Sequence, residues 1–165
     1  NVLGSRGSIV PLFVKQIKNN QNVTVTDPTM TRFNITMDKA LDLILRAIEN
    51  GKGGEIFIPK LKAYKVGDMK DAIIQLINKN TETEIIQVRP GEKYHESLIS
   101  ENEIRNSFET DMDYILYEHE SQQYSTNNFE YEPSKLTDRY SSDKVELLSI
   151  DELKNILINE NLISK

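Results

Sequence analysis

Three short stretches of this 165-residue sequence carry side chains able to act together on a ligand. The first is VRPGEKYHE, where Arg89 precedes a Pro90-Gly91 turn and Glu92 follows it. A guanidinium grips phosphate through two parallel N–H donors, and a carboxylate accepts hydrogen bonds from a ribose diol. The pair suits a nucleotide; an ordinary turn closed by an ion pair explains the same spacing equally well. The second is the opening NVLGSRGS, in which Ser5, Arg6, Gly7 and Ser8 run straight into the apolar pattern Ile9, Val10, Phe13 and Ile17. Backbone N–H groups at a helix start, two hydroxyls and a cation fit a phosphate or diphosphate. A plain loop and N-cap is the simpler account. The third is MTRFNIT, with Arg32 among Met30, Phe33 and Ile35 just ahead of a helix, where a solvated arginine is the default. His95 and Glu96 stand at helical spacing from Glu92, but too few further ligands are near for a metal, so they read as structural.

These groups need a scaffold, and apolar periodicity gives a mixed α/β one. Met37, Ala40, Leu41, Ile44, Leu45 and Ile48 repeat at helical spacing after Thr36, a candidate N-cap, and stop before Gly51. A second helix is expected through Met69, Ala72, Ile73, Leu76 and Ile77. A third is announced by the capping box of Ser149 and Glu152 with Leu148 and Leu153 at the staple positions. Short β-rich runs lie at 22–26, 54–60, 84–88 and 113–118. Residues 119–147 are polar and nearly patternless and read as a long loop or arm.

Charge and composition narrow the function classes. Twenty-six acidic residues against twenty basic ones give a net charge of −6, which argues against non-specific nucleic-acid binding. The charge is uneven: residues 1–60 carry eight Lys/Arg and five Asp/Glu, whereas residues 92–132 carry two and eleven. An anion finds the first segment friendlier. There is no cysteine, hence no disulfide or thiolate metal site, and no apolar run reaches membrane-span length. The sequence begins with Asn1 rather than Met, and a processed or truncated product is expected. No Gly-x-Gly-x-x-Gly follows any strand-like run, so the chain reads as part of a site.

Taken in order, NVLGSRGSIVPLF, VTDPTMTRFNITMDKALDLIL, GGEIFIPK and VRPGEKYHESLIS resemble the C-terminal half of bacterial UDP-N-acetylglucosamine 4,6-dehydratases of polysaccharide biosynthesis. These are extended short-chain dehydrogenase/reductases. The resemblance covers residues 1 to about 118 and resumes at YSSDKVELLSIDELKNIL. Pro59-Lys60 and His95 favour the branch that inverts C5. The fold so implied is α/β: the substrate-binding part of an extended enzyme of the NAD(P)-binding Rossmann superfamily, without the Rossmann core. Residues 1–118 would form the substrate domain, 119–147 the arm and 148–165 the C-terminal helix.

The resemblance also implies roles. Asn1 and the Ser5, Arg6, Gly7, Ser8 loop would face the diphosphate and sugar of UDP-N-acetylglucosamine. Arg32 would contact the nucleotide, Arg89 the diphosphate and Glu92 the ribose. NADP and the groups that move protons and hydride would belong to the missing half, so this chain alone would be inactive. A cytoplasmic homo-oligomer is implied for the full-length enzyme. A UDP-sugar epimerase, or a non-catalytic nucleotide-sugar-binding or oligomerisation module, is the alternative. Lys62 and Asn34 depart from the family pattern near the sugar.

Overall fold

Three helices and a short parallel strand pair build the first of two cores. In the computed structural model, which describes residues 2–117 and 131–163, α1 (Ile9–Lys18) buries Val10, Phe13 and Ile17 on one face. Pro11 falls in its first turn, where no intrahelical N–H is needed. The next helix of this core, α3 (Val66–Ile77), buries Val66, Met69, Ala72 and Ile73 and stops at Asn78 in left-handed conformation. Its Gly67 backbone bonds Pro28 O at 2.9 Å, an approach that a Cβ would crowd. The third, α4 (Ile150–Asn159), starts at the expected capping box: Ser149 accepts from Glu152 N, and Glu152 accepts from Ser149 N. Leu148, Leu153 and Leu157 are buried against the other two helices. Between them lies β1 (Val23–Val25), paired in parallel with β5 (Thr83–Ile85).

The second core is antiparallel. Strand β2 (Thr31–Phe33) pairs with β4 (Ala63–Lys65), setting Arg32 opposite Tyr64. A four-stranded sheet runs in the order β3 (Glu55–Pro59), β8 (Asp113–Tyr117), β7 (Ser107–Glu109) and β9 (Glu132–Pro133). Strand β6 (Ser97–Ile99) pairs with β10 (Tyr140–Ser141). Phe33, Ile58, Ala63, Ile99, Leu116 and Tyr140 close this cluster. The remaining helix, α2 (Met37–Asn50), is capped by Thr36 as expected, yet none of its residues is buried.

The mixed α/β class with short strands and four helices agrees with the sequence reading. Other details differ. The β-run at 84–88 is a strand only over Thr83–Ile85, so Arg89 lies beyond the strand end. Arg32 sits within β2, and His95 and Glu96 lie in an irregular segment, bent at Tyr94 and His95, that leads into β6 and contains no helix. Of the stretch read as a long loop or arm over 119–147, residues 131–147 are mostly irregular apart from β9 and β10, and they are packed against the rest of the chain. Tyr140, Ser141 and Ser142 are buried, and the Tyr140 hydroxyl accepts from Leu61 N at 2.6 Å. Hydrogen bonding, not apolar periodicity, integrates this segment, which is why it looks patternless. Residues 119–130 of that stretch lie outside the described residues. Among the described residues no helix is long and apolar enough to cross a membrane.

Candidate functional site

Arg32 is the hub of the site. Its strand holds the stem half-buried, and Nη1 donates to the carbonyls of Thr31 (2.8 Å) and Tyr94 (3.1 Å). Nη2 lies 3.9 Å from Glu92 Oε1. Two backbone carbonyls and one carboxylate thus fix the plane of the guanidinium, the preorganisation that lets arginine bind an oxyanion at small entropic cost.

A cavity opens on each side of it. The first, about 310 Å³, is lined by Ser5, Arg6, Gly7 and Ser8, by Arg32 and Phe33, and by Tyr64 and Glu96. The second, about 150 Å³, is lined by Gly7, Thr24, Thr26, Arg32, Arg89 and Glu92 among others. Gly7, Ile9 and Arg32 belong to both, and Arg32 brings the only charge among them. Seven of the eight residues singled out from the sequence therefore converge on one cleft; the eighth, Asn1, lies outside the described residues.

The opening loop is a pair of tight turns. Ser5 N bonds Val2 O at 3.2 Å and Ser8 N bonds Ser5 O at 3.0 Å, with Gly4 and Gly7 at φ of 75° and 82°. Leu3 N bonds Ile35 O at 2.8 Å, which docks the loop beside the end of β2. Ser8 has the backbone of an N-cap, but its hydroxyl makes no capping bond and is buried without a protein partner. The N–H groups that open α1 have no side-chain cap, and Pro11 contributes none. This loop can offer donors to an anion, and the exposed Arg6 beside it has no carboxylate partner among the described residues.

Glu92 behaves differently from the simple ion pair. Arg89-Pro90-Gly91-Glu92 is a turn in which Glu92 N bonds Arg89 O at 3.0 Å and Gly91 takes φ of 81°, the geometry of a type II turn. Glu92 Oε2 accepts from Arg89 N at 3.2 Å, and Oε1 accepts from the Thr26 hydroxyl at 3.0 Å. Its cationic neighbour is Arg32, and the Arg89 side chain stays exposed.

Tyr64 escaped the sequence reading, and Phe33 and Glu96, which also line the first cavity, were given no ligand role there. Phe33 N donates to Glu96 Oε2 at 3.1 Å. Burial raises the Tyr64 phenol far above its ordinary range, and Glu96 adds to the rise while Arg32 opposes it. No local signal marks Tyr64, since only the β2–β4 register brings it to Arg32. His95 is structural: Nδ1 lies 2.8 Å from Thr31 Oγ1, which lies 2.7 Å from Ser142 Oγ. Among the described residues no group of three or more His, Asp or Glu side chains could hold a metal. The assembled chemistry is anion recognition next to an aromatic, partly apolar wall.

Comparison with known proteins agrees in kind. The profile of the family described as "Polysaccharide biosynthesis protein" matches residues 1–118. The chain is 34% identical over 167 residues to a protein of Rickettsia bellii named UDP-glucose 4-epimerase. It is 32% identical over 168 residues to one of the same name from Rickettsia rickettsii. In both cases all of this chain aligns with 49% of the relative, so it spans about half their length. A solved structure, "X-ray structure of Pen from Bacillus thuringiensis", superposes with a TM-score of 0.86 at 34% identity, over 99% of this chain and 49% of the other. The chain belongs to the polysaccharide biosynthesis protein family, within the extended short-chain dehydrogenase/reductase superfamily.

Proposed function

We propose that this chain is the substrate-holding half of a nucleotide-sugar enzyme and binds a UDP-sugar in the cleft divided by Arg32. The observation that carries the reading is that Arg32 lines both cavities, between the Ser5–Ser8 loop with Arg6 on one side and Arg89 with Glu92 on the other. A diphosphate needs cations spaced along it, a ribose needs an acceptor, and a sugar packs on a wall such as Phe33 and Tyr64. Arg89 and Arg32 take the diphosphate, Glu92 the ribose, and the Ser5–Ser8 loop with Asn1 the diphosphate and sugar.

The parent reaction we favour is 4,6-dehydration of UDP-N-acetylglucosamine with inversion at C5. The four ordered motifs that resemble that group support it. Epimerisation of a UDP-sugar is the second reading, favoured by the names of the Rickettsia relatives. Either reaction needs oxidation at the sugar, for which NADP supplies the hydride acceptor. No Gly-x-Gly-x-x-Gly occurs in this sequence, and its two Tyr-x-x-x-Lys matches are committed elsewhere, Tyr131 to Asn50 O with Lys135 on Glu109 and Tyr140 to Leu61 N with Lys144 on Asp138, so its residues do not fit that cofactor. This chain contributes orientation and binding energy, and alone it has no turnover.

Titration calorimetry of UDP-N-acetylglucosamine, UDP-glucose and UDP against the chain and its Arg32→Ala variant tests the cleft. Binding that Arg32→Ala abolishes supports the assignment, and binding indifferent to it refutes it. Product analysis on an enzyme that contains this chain separates the reactions: loss of water marks the dehydratase, an isomeric UDP-sugar the epimerase.

A further inference from the structure

Tyr64 carries a polar tip that the rest of the chain leaves unpaired. It lies in β4 opposite Arg32, is only 6% exposed, and belongs to the first core with Val10, Met30 and Val66. It also lines the first cavity, together with Arg6, Ser8, Arg32 and Glu96. Among the described residues its hydroxyl has no hydrogen-bond partner. A buried phenol usually finds one, because an unpaired polar group costs stability, and a phenylalanine would fill the same apolar bed without that cost. The hydroxyl is not sealed in. Among the described residues the unpartnered side-chain atoms cut off from solvent are Ser8 Oγ and Asn34 Oδ1, so the Tyr64 oxygen keeps access to open space. The open space that Tyr64 borders is the first cavity.

What meets that hydroxyl follows from the order of groups along the cleft. Thr26, Arg89 and Glu92 line the second cavity, Arg32 lines both, and Tyr64 lines the first and not the second. With the ribose at Glu92 and the diphosphate on Arg89 and Arg32, the group carried beyond the diphosphate enters the first cavity. A phenol is protonated at neutral pH and donates one hydrogen bond, whereas an ionised carboxylate such as Glu96 only accepts. A donor and an acceptor in one cavity beside an apolar wall fit the neutral oxygens of a sugar; a further phosphate would meet the charge of Glu96. The volume of about 310 Å³ falls at the lower end of the roughly 300–1,000 Å³ typical of ligand cavities. We infer that Tyr64 is a specificity residue of the cleft, its hydroxyl donating a hydrogen bond to an oxygen of the sugar that hangs from the diphosphate. The inference deepens the UDP-sugar reading and rests on it.

Tyr64→Phe removes the hydroxyl and keeps the ring. Titration calorimetry of the unsubstituted chain and this variant compares UDP with UDP-N-acetylglucosamine. Affinity for UDP-N-acetylglucosamine should fall about three- to tenfold, the worth of one neutral hydrogen bond, while affinity for UDP stays the same. Urea unfolding of the ligand-free chains adds a readout that a structural hydroxyl would move. The midpoint of Tyr64→Phe should equal or exceed that of the unsubstituted chain, because no bond within the protein is lost. A lower midpoint gives the hydroxyl a partner in the chain and overturns the inference. So does an affinity for UDP-N-acetylglucosamine that the variant leaves unchanged, or an equal fall for both ligands. Binding of neither ligand to the unsubstituted chain refutes the UDP-sugar reading and the inference with it. Binding of UDP that Arg32→Ala abolishes keeps the reading, whichever way Tyr64→Phe falls, so the two failures are distinct.

Discussion

Arg46 on α2 and Asp113 on β8 meet side-on, Nε to Oδ2 at 2.6 Å and Nη2 to Oδ1 at 2.7 Å, with the Asp113 side chain only 3% exposed. This bidentate pair joins α2, which buries none of its residues, to the four-stranded sheet. Removing the guanidinium leaves a buried carboxylate without its cation. Arg46→Met should cost about 3 kcal/mol, since breaking a buried pair is expensive whereas replacing both partners is not. Arg46→Met with Asp113→Leu should recover most of the loss. Urea unfolding reads both, and an unchanged midpoint for Arg46→Met would sink the anchoring role.

Arg89→Ala should weaken UDP binding by about 1.5–3 kcal/mol, the scale of a charge-assisted hydrogen bond. Arg32→Ala should cost more, because it removes the charged side chain that lines both cavities and frees Glu92 from its cationic neighbour. Calorimetry that finds the two variants equal to the unsubstituted chain would refute the phosphate assignment.

Ser142 bonds Glu96 N at 2.9 Å and Thr31 Oγ1 at 2.7 Å, and it is fully buried. Ser142→Ala should cost about 1–3 kcal/mol, because Thr31 and the Glu96 amide lose a partner where water does not reach. The same unfolding assay checks it; a loss under a few tenths would mean that residues 131–147 sit loosely.

Glu109 is held below its ordinary carboxyl range, first by a 2.9 Å hydrogen bond from Lys60 Nζ and then by charge, Lys135 included. A depressed folded value means stability that is present above the unfolded value and lost as pH falls through the folded one. At pH 7 Glu109→Gln should be less stable than the unsubstituted chain by about 0.5–1 kcal/mol, discounted because Lys60 is partly exposed. The gap should close below about pH 4. A difference that persists in acid would point to packing instead.

Ser149→Ala should cost about 1 kcal/mol by deleting one arm of the capping box at α4. Ser149→Asp should retain most of the stability, which separates loss of the cap from loss of packing around Leu148 and Leu153. Thermal unfolding of both variants decides it.

Local signals were enough for elements whose cause is local. Ser149 with Glu152, Thr36 before Met37, and the 3.6-residue stripe of α1 each act within a turn or two, so each is legible in the chain. The type II turn was legible for the same reason, because Pro90 and Gly91 set their own dihedrals. The residues of the cleft were readable as types, with Arg6, Arg32, Arg89 and Glu92 suited to an anion and a diol. Their convergence was not, since Gly7 and Arg89 are distant in sequence and meet only because β1–β5 and β2–β4 pair as they do. Tertiary structure also chose the partners. Glu92 faces Arg32 instead of Arg89, Tyr64 comes to the cleft by register, and Ser142 buries its hydroxyl from a stretch with no apolar pattern. The case of α2 marks the boundary best: periodicity determines that a helix has an apolar side, but which way that side points depends on what the rest of the chain packs beneath it, here Arg46 on Asp113.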